Sequence, residues 1–153
     1  MASSRLTRAV TRRYCEPVKR LELQEVRICK KCRRGRALLL SDDDESLSIA
    51  LDPTRARRLA GERDDVRCLG DFLLDHLREG GISPTDVVLD RAPAGLRALV
   101  SIRRGDEVDV LSCTAQEGLE IALRGDLQLY ATADVFTTPP DRVPERDPGE
   151  TLH

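Results

Sequence analysis

Residues 108–136, VDVLSCTAQEGLEIALRGDLQLYATADVF, decide the fold because they predict a strand, a capped helix and a second strand. Apolar and polar side chains alternate at both ends of the stretch, as in half-buried strands. Thr114 stands three residues before Glu117, which is the spacing of a capping box, where each side chain satisfies the other residue's backbone N–H. Gly125 predicts the end of the helix.

Outward from this stretch, the same patterns predict five further strands and two further helices. The predicted strands cover residues 21–28, 37–40, 47–51, 87–89, 96–102, 108–111 and 127–131. The predicted helices cover residues 54–62, 67–81 and 115–125. The order is therefore βββααβββαβ with short hairpin connections, which predicts an α+β domain whose largely antiparallel or mixed sheet carries the helices.

The first helix is introduced by Asp52 as N-cap and Pro53 at the first helical position, a favoured combination at helix starts. Apolar residues at helical spacing predict the side of each helix that faces the core. They are Ala56, Leu59 and Ala60 in the first helix, Leu69, Phe72, Leu73 and Leu77 in the second, and Leu119, Ala122 and Leu123 in the third.

The length of 153 residues predicts one domain at 18–137, preceded by a basic flexible arm at 1–17 and followed by a proline-rich disordered tail at 138–153. The net charge of −2 argues against a long-range electrostatic attraction of the whole protein to nucleic acid. The chain has only two tyrosines, two phenylalanines and no tryptophan, which argues against a surface on which bases stack. No apolar run reaches a membrane span, and five scattered cysteines indicate a reduced, cytoplasmic protein.

A dense basic turn lies between the first two predicted strands. Its cations are Arg27, Lys30, Lys31, Arg33, Arg34 and Arg36, with no acidic residue among them. Such a cluster suffices to bind a phosphate backbone without reading its sequence. The alternative is a solvated loop whose charge is balanced by the acidic turn at residues 42–45 on the neighbouring hairpin.

Cys29 and Cys32 lie within the same turn and form half of a zinc site. Three interpretations stay open: incidental turn residues, a weak or intermolecular metal site, or a redox-sensitive pair whose thiols are activated by the neighbouring cations. The acidic turn lacks the ligand spacing of a calcium loop. We assign no metal ligand from the sequence.

Three segments resemble the bifunctional nuclease domain family, and the similarity in apolar pattern extends over residues 21–136. The segments are SLSIALDPTRARRLAG at 46–61, VRCLGDFLLDHLREGG at 66–81 and LSCTAQEGLEIALRGDLQLYATADVF at 111–136. The family is described as cleaving DNA and RNA. The resemblance implies a phosphodiester hydrolase that often forms homodimers and uses a divalent cation, Mg²⁺ or Mn²⁺, if it is active.

The resemblance also implies the catalytic residues. Glu117 and Asp71 would serve as metal-binding or general-base carboxylates, and Arg67 as the clamp on the phosphate. Arg55 stands where the family has a glutamate and Phe72 where it has an aspartate, so weakened or lost hydrolysis is expected. A non-catalytic regulatory domain, or one that binds nucleic acid or protein on the same fold, is the alternative.

Overall fold

The structure, a computed structural model, describes residues 17–62 and 68–136. The strands are β1 Val18–Ile28, β2 Gly35–Ser41, β3 Ser46–Leu51, β4 Ser83–Ala92, β5 Gly95–Arg104, β6 Glu107–Thr114 and β7 Gln128–Thr132. The helices are α1 Pro53–Leu59, α2 Leu69–Glu79 and α3 Ala115–Gly125, followed by a 3-10 helix at Ala133–Phe136. The predicted α+β class and element order are confirmed. The predicted tail, and all of the predicted arm except Pro17, lie outside the described residues.

All seven strands form one mixed sheet in the order β3-β2-β1-β7-β4-β5-β6. Strand β7 lies between two three-stranded meanders, antiparallel to β1 and parallel to β4. A parallel neighbour needs a long crossover connection, and β5, β6 and α3 supply it here. Within the described residues, no helix has the length and apolar content to cross a membrane.

Helix α3 begins and ends through local hydrogen bonds. The Thr114 Oγ1 accepts from the Glu117 N–H at 3.3 Å, and a Glu117 carboxylate oxygen accepts from the Thr114 N–H at 2.9 Å, so the predicted capping box is confirmed. The predicted end at Gly125 is confirmed, and the left-handed residue that follows it is Asp126. Asp126 takes the left-handed conformation with φ 52°, which a short polar side chain tolerates, and the Leu127 N–H donates to the Ala122 carbonyl.

The helices pack very closely on the sheet at two glycines. A Cβ at Gly118 of α3 would lie 2.1 Å from the Ala98 Cβ of β5, and one at Gly35 of β2 would lie 2.5 Å from the Ala56 Cβ of α1. Neither distance is tolerable between carbon atoms, so glycine permits both helix-to-sheet contacts. The core between the layers includes the fully buried side chains of Leu39, Leu89 and Leu119.

The predicted apolar faces of the helices are partly wrong. In α2 the exposed fractions of Leu69 and Phe72 are 77% and 62%, whereas Leu74 and Leu77 are buried. The helix contacts α3 and β4, and this packing turns its 74–77 side inward. Phe72 stacks instead on the neighbouring exposed His76, with ring centroids 6.4 Å apart. Also exposed, against prediction, are Leu123, near the end of α3, and Ala60, just beyond the end of α1.

We expect Gly118→Ala to lower the free energy of unfolding by about 1–3 kcal/mol or more, because the new methyl group overlaps Ala98 and lies 3.2 Å from the Val87 Cγ1. Gly70→Ala in α2 is the matched control. Its Cβ would meet no atom closer than 3.7 Å, so it should gain up to about 1 kcal/mol from helix propensity. Urea unfolding followed by circular dichroism measures both, and equal stabilities would contradict the close contact.

Candidate functional site

The junction of the three helices holds a cavity of about 200 Å³. It lies beside the start of α3, where β6 delivers the chain to the capping box. The residues that line it are Arg55, Leu69, Gly70, Leu73, Cys113, Glu117, Glu120 and Ile121. The cavity therefore has an apolar body with an arginine and two carboxylates in its wall, and it contains one of the predicted catalytic residues.

Glu117 is committed to the helix start. One oxygen of its carboxylate accepts the Thr114 N–H, and this hydrogen bond, together with that of the Thr114 side chain, lowers the pKa of Glu117. Burial opposes the shift, and the Arg55 charge adds to it. The carboxylate is ionised at neutral pH, and it accepts a hydrogen bond from the Thr114 N–H, which has no partner within the helix.

Asp71, the second predicted carboxylate, is held by α3. The Arg124 Nη1 donates to both Asp71 carboxylate oxygens, at 3.1 and 2.8 Å, and the Cys68 Sγ lies 3.3 Å from one of them. Asp71 is not among the described residues that line the cavity. The third predicted catalytic residue, Arg67, lies outside the described residues.

Sequence reasoning missed the most buried charge of the site, Glu120, of which 2% is exposed. Arg58 of α1 binds its carboxylate with two hydrogen bonds, from Nε at 3.1 Å and from Nη2 at 3.0 Å. The Arg55 Nε lies 3.4 Å from the same carboxylate. The signal was the spacing of the two arginines, which are three residues apart and so share one side of α1.

The charges around the cavity are already balanced by one another. The Arg55 Nη1 donates to Asp52 at 2.7 Å, while its Nε is buried without a hydrogen bond. Cys113 is half-buried, and burial followed by the Glu117 charge raises its pKa to about 11, so it is a neutral thiol at pH 7. In the part of the chain that the structure describes, no three His, Cys, Asp or Glu side chains are grouped to hold a metal ion. These residues do not fit the Mg²⁺ or Mn²⁺ that hydrolysis would need.

The predicted basic turn forms the exposed end of the β1–β2 hairpin. The Cys29 N–H donates to the Arg34 carbonyl at 2.8 Å, and the Arg33 N–H donates to the Cys29 carbonyl at 2.9 Å. Arg27 and Arg36 face each other across the two strands. We call Arg27, Lys30, Lys31, Arg33, Arg34 and Arg36 the basic hairpin; all six are exposed.

The acidic turn does not balance the basic hairpin. Successive antiparallel strands place their turns at opposite ends, so residues 42–45 lie at the far end of β2. There Lys19 forms ion pairs with Asp43 and Glu45. Arg27 pairs with Glu25 of its own strand, but the other five cations of the basic hairpin form no ion pair with the described residues. The alternative interpretation, a solvated loop whose charge the acidic turn balances, is therefore not supported by the position of that turn.

The structure defines an α+β domain with one mixed sheet, a charge-balanced cavity among its helices and a hairpin whose cations, apart from Arg27, form no ion pair with the described residues. A comparison with protein-family models finds no match for this chain, and a comparison with the curated proteins finds none either. The resemblance to the bifunctional nuclease domain therefore stays a prediction.

We expect the stabilising effect of the Glu117 carboxylate to disappear in acid. Because its pKa is lowered in the folded state, its contribution is present above the ordinary value of 4.5 and is lost as the pH falls through the folded pKa. Glu117→Ala should lower the unfolding free energy by up to about 1 kcal/mol at pH 7, and the difference from wild type should shrink below pH 4. Glu117→Gln, which keeps an uncharged acceptor, is the control and should itself lack this pH dependence in denaturant titrations.

Proposed function

We propose that this protein is a cytoplasmic nucleic-acid-binding domain on a bifunctional-nuclease-like fold, in which the basic hairpin contacts the phosphate backbone and hydrolysis is weakened or lost. The observation that carries the proposal is the set of five exposed cations without a carboxylate partner among the described residues, Lys30, Lys31, Arg33, Arg34 and Arg36. Their placement on one hairpin gives a compact cationic surface.

The strand pairing supports a use for these cations outside the fold itself. Arg27 and Arg36 occupy directly opposite positions, and like charges placed so destabilise a hairpin. The Glu25 partner of Arg27 relieves only part of this repulsion. A bound polyanion would relieve the rest, because phosphates neutralise the cations and release their own counterions.

The net charge of −2 does not oppose this binding. The acidic turn is separated from the basic hairpin by the length of β2, roughly 20 Å at about 3.3 Å per residue. That separation exceeds the screening length of about 8 Å at physiological salt, so a phosphate at the hairpin experiences mainly the local cations. The hairpin carries no aromatic side chain, which favours phosphate contacts over base stacking.

We expect binding to labelled duplex or single strand to weaken steeply with salt. If all five cations contact phosphates, the logarithm of the association constant should fall with a slope of about −4 against the logarithm of salt concentration. The triple variant Arg33→Ala, Arg34→Ala, Arg36→Ala should make that slope shallower by about 2–3, because three counterion-releasing contacts are removed. Fluorescence anisotropy at several salt concentrations measures both.

The matched control replaces the same three arginines by lysine. Like alanine, lysine replaces the arginine at position 33, where φ is 63°. Unlike alanine, lysine keeps the positive charges. The lysine variant should retain most of the wild-type slope. An association constant that does not depend on salt, or that falls equally in the two triple variants, would show that the basic hairpin does not bind the phosphates.

The occupied carboxylates are the reason that we propose weak or absent hydrolysis. A metal-dependent nuclease needs carboxylate oxygens free to hold a cation at the scissile phosphate. Here Glu117 accepts a backbone N–H, Asp71 is bound by Arg124, and Glu120 is bound by Arg58. Arg55 adds a positive charge to the cavity wall, which opposes a metal ion at short range.

We therefore expect little or no cleavage of labelled DNA or RNA with Mg²⁺ or Mn²⁺. Purified wild type should be assayed beside Glu117→Gln and Asp71→Asn under conditions in which binding is measurable. Equal, faint activity in all three proteins would indicate contamination and agree with a binding domain. Robust cleavage that either substitution abolishes would restore the hydrolase and would leave the basic hairpin as its substrate-binding element.

The expected homodimer stays a prediction. Strand β6 is the structural feature that would favour it, because among the described strands it pairs with β5 alone and forms one edge of the sheet. Val108, Val110 and Leu111 expose about two fifths of their surface there. Exposed apolar edge strands are sites at which a second chain can add.

A further inference from the structure

We propose that Cys29 and Cys32 form a thiol–disulfide exchange site at the tip of the basic hairpin, which reacts with small disulfides that carry carboxylates. Cys29 would be the attacking thiolate and Cys32 the residue that closes the internal disulfide. This proposal does not depend on nucleic-acid binding, since it concerns the chemistry of the two sulfurs alone.

The turn places the two cysteines on one side. The Arg33 N–H donates to the Cys29 carbonyl at 2.9 Å, which closes a single helical turn over the intervening residues. Residues three apart in such a turn lie side by side, at a separation close to that which a disulfide spans. Both cysteines are exposed, and the Cys32 N–H lies 3.5 Å from the Cys29 Sγ.

The same geometry stabilises a thiolate on Cys29. The Cys32 N–H, the Cys32 thiol and the Lys31 N–H all direct hydrogen toward its sulfur and lower the pKa of Cys29. The pKa values of the other two cysteines among the described residues, Cys68 and Cys113, are raised instead. Burial raises the pKa of Cys68, and Cys113 is half-buried with its pKa raised to about 11.

The surrounding charge selects the partner. Lys30 and Lys31 lie between the cysteines, and Arg33 and Arg34 follow directly. This field repels a free metal cation and attracts an anion. The described residues also bring no third ligand to the pair, whereas a structural zinc site uses four. A disulfide reagent with carboxylates fits both the nucleophile and its cations.

The reaction balances without a further component. The Cys29 thiolate attacks one sulfur of the reagent, a new S–S bond forms, and the first half of the reagent leaves as a thiolate. Cys32 loses its proton to solvent base and attacks the Cys29 sulfur, which expels the second half. The two cysteines lose two electrons to the reagent, which ends as two thiols after taking up protons.

The test uses the reduced full chain and oxidised glutathione, followed by acid quenching and peptide mass spectrometry that assigns each cysteine. We expect an internal Cys29–Cys32 disulfide to form before Cys68 or Cys113 reacts. Cys32→Ser should accumulate a glutathione adduct on Cys29 that wild type does not retain. At pH 7, alkylation of Cys29 should exceed that of Cys113 by about tenfold or more, because Cys29 is exposed and has the larger thiolate fraction, which outweighs the lower nucleophilicity of a more acidic thiol.

Two controls separate this site from general thiol reactivity. Lys30→Gln with Lys31→Gln should slow the reaction with anionic oxidised glutathione several-fold but not the reaction with neutral hydroxyethyl disulfide. Thermal unfolding should be unchanged in these exposed variants, which shows that the turn is retained. Equal reaction rates at Cys29 and Cys113, or a Cys32→Ser protein that accumulates no adduct, would overturn the proposal.

Discussion

The parallel pairing of β7 with β4 is the constraint on which the rest of the architecture depends. Without β7, the β1–β2–β3 and β4–β5–β6 meanders would form two separate three-stranded sheets. Strand β7 can join them because α3 carries the chain back across the sheet, from β6 to the gap between β1 and β4. That return requires α3 to lie directly on β5, where Gly118 and Ala98 leave no room for a larger side chain. The capping box and the left-handed Asp126 fix the two ends of the crossing helix.

The position of α3 in turn determines the chemistry of the cavity. It brings Glu120 to the arginines of α1, and burying that carboxylate is tolerable only because Arg58 binds it with two hydrogen bonds. It also places Arg124 against Asp71. Asp71 and Glu120, carboxylates of the type that a metal-dependent hydrolase would use, are thus engaged in docking the helices.

The two ends of the sheet have different electrostatic characters for a topological reason. Consecutive hairpins point in opposite directions, so the basic and acidic turns cannot neutralise each other although only seven residues of β2 separate them. Lys19 satisfies the acidic end. Five cations of the basic hairpin have no ion-pair partner among the described residues, and Cys29 and Cys32 lie among these cations. Its proposed ligands, a phosphate backbone and a small anionic disulfide, share a negative charge and differ in how they react.

Features set by neighbouring residues could be predicted from the sequence. The capping box of Thr114 and Glu117 and the N-cap at Asp52 involve residues three apart, and the strands alternate their side chains locally. The period of each helix was also evident. The side of the helix that faces the core was not evident, and Leu69 and Phe72 were expected in the core although they are exposed. The inward side of a helix depends on what packs against it.

The long-range pairings were decided by the tertiary structure alone. Arg58 and Glu120 are 62 residues apart, and Asp71 and Arg124 are 53 apart. No periodicity along the chain relates such residues, because their approach depends on where the crossover helix lies. The basic hairpin depends on both: its charge and its cysteines follow from the sequence, whereas the sheet topology decides that the acidic turn at residues 42–45 lies at the other end of β2.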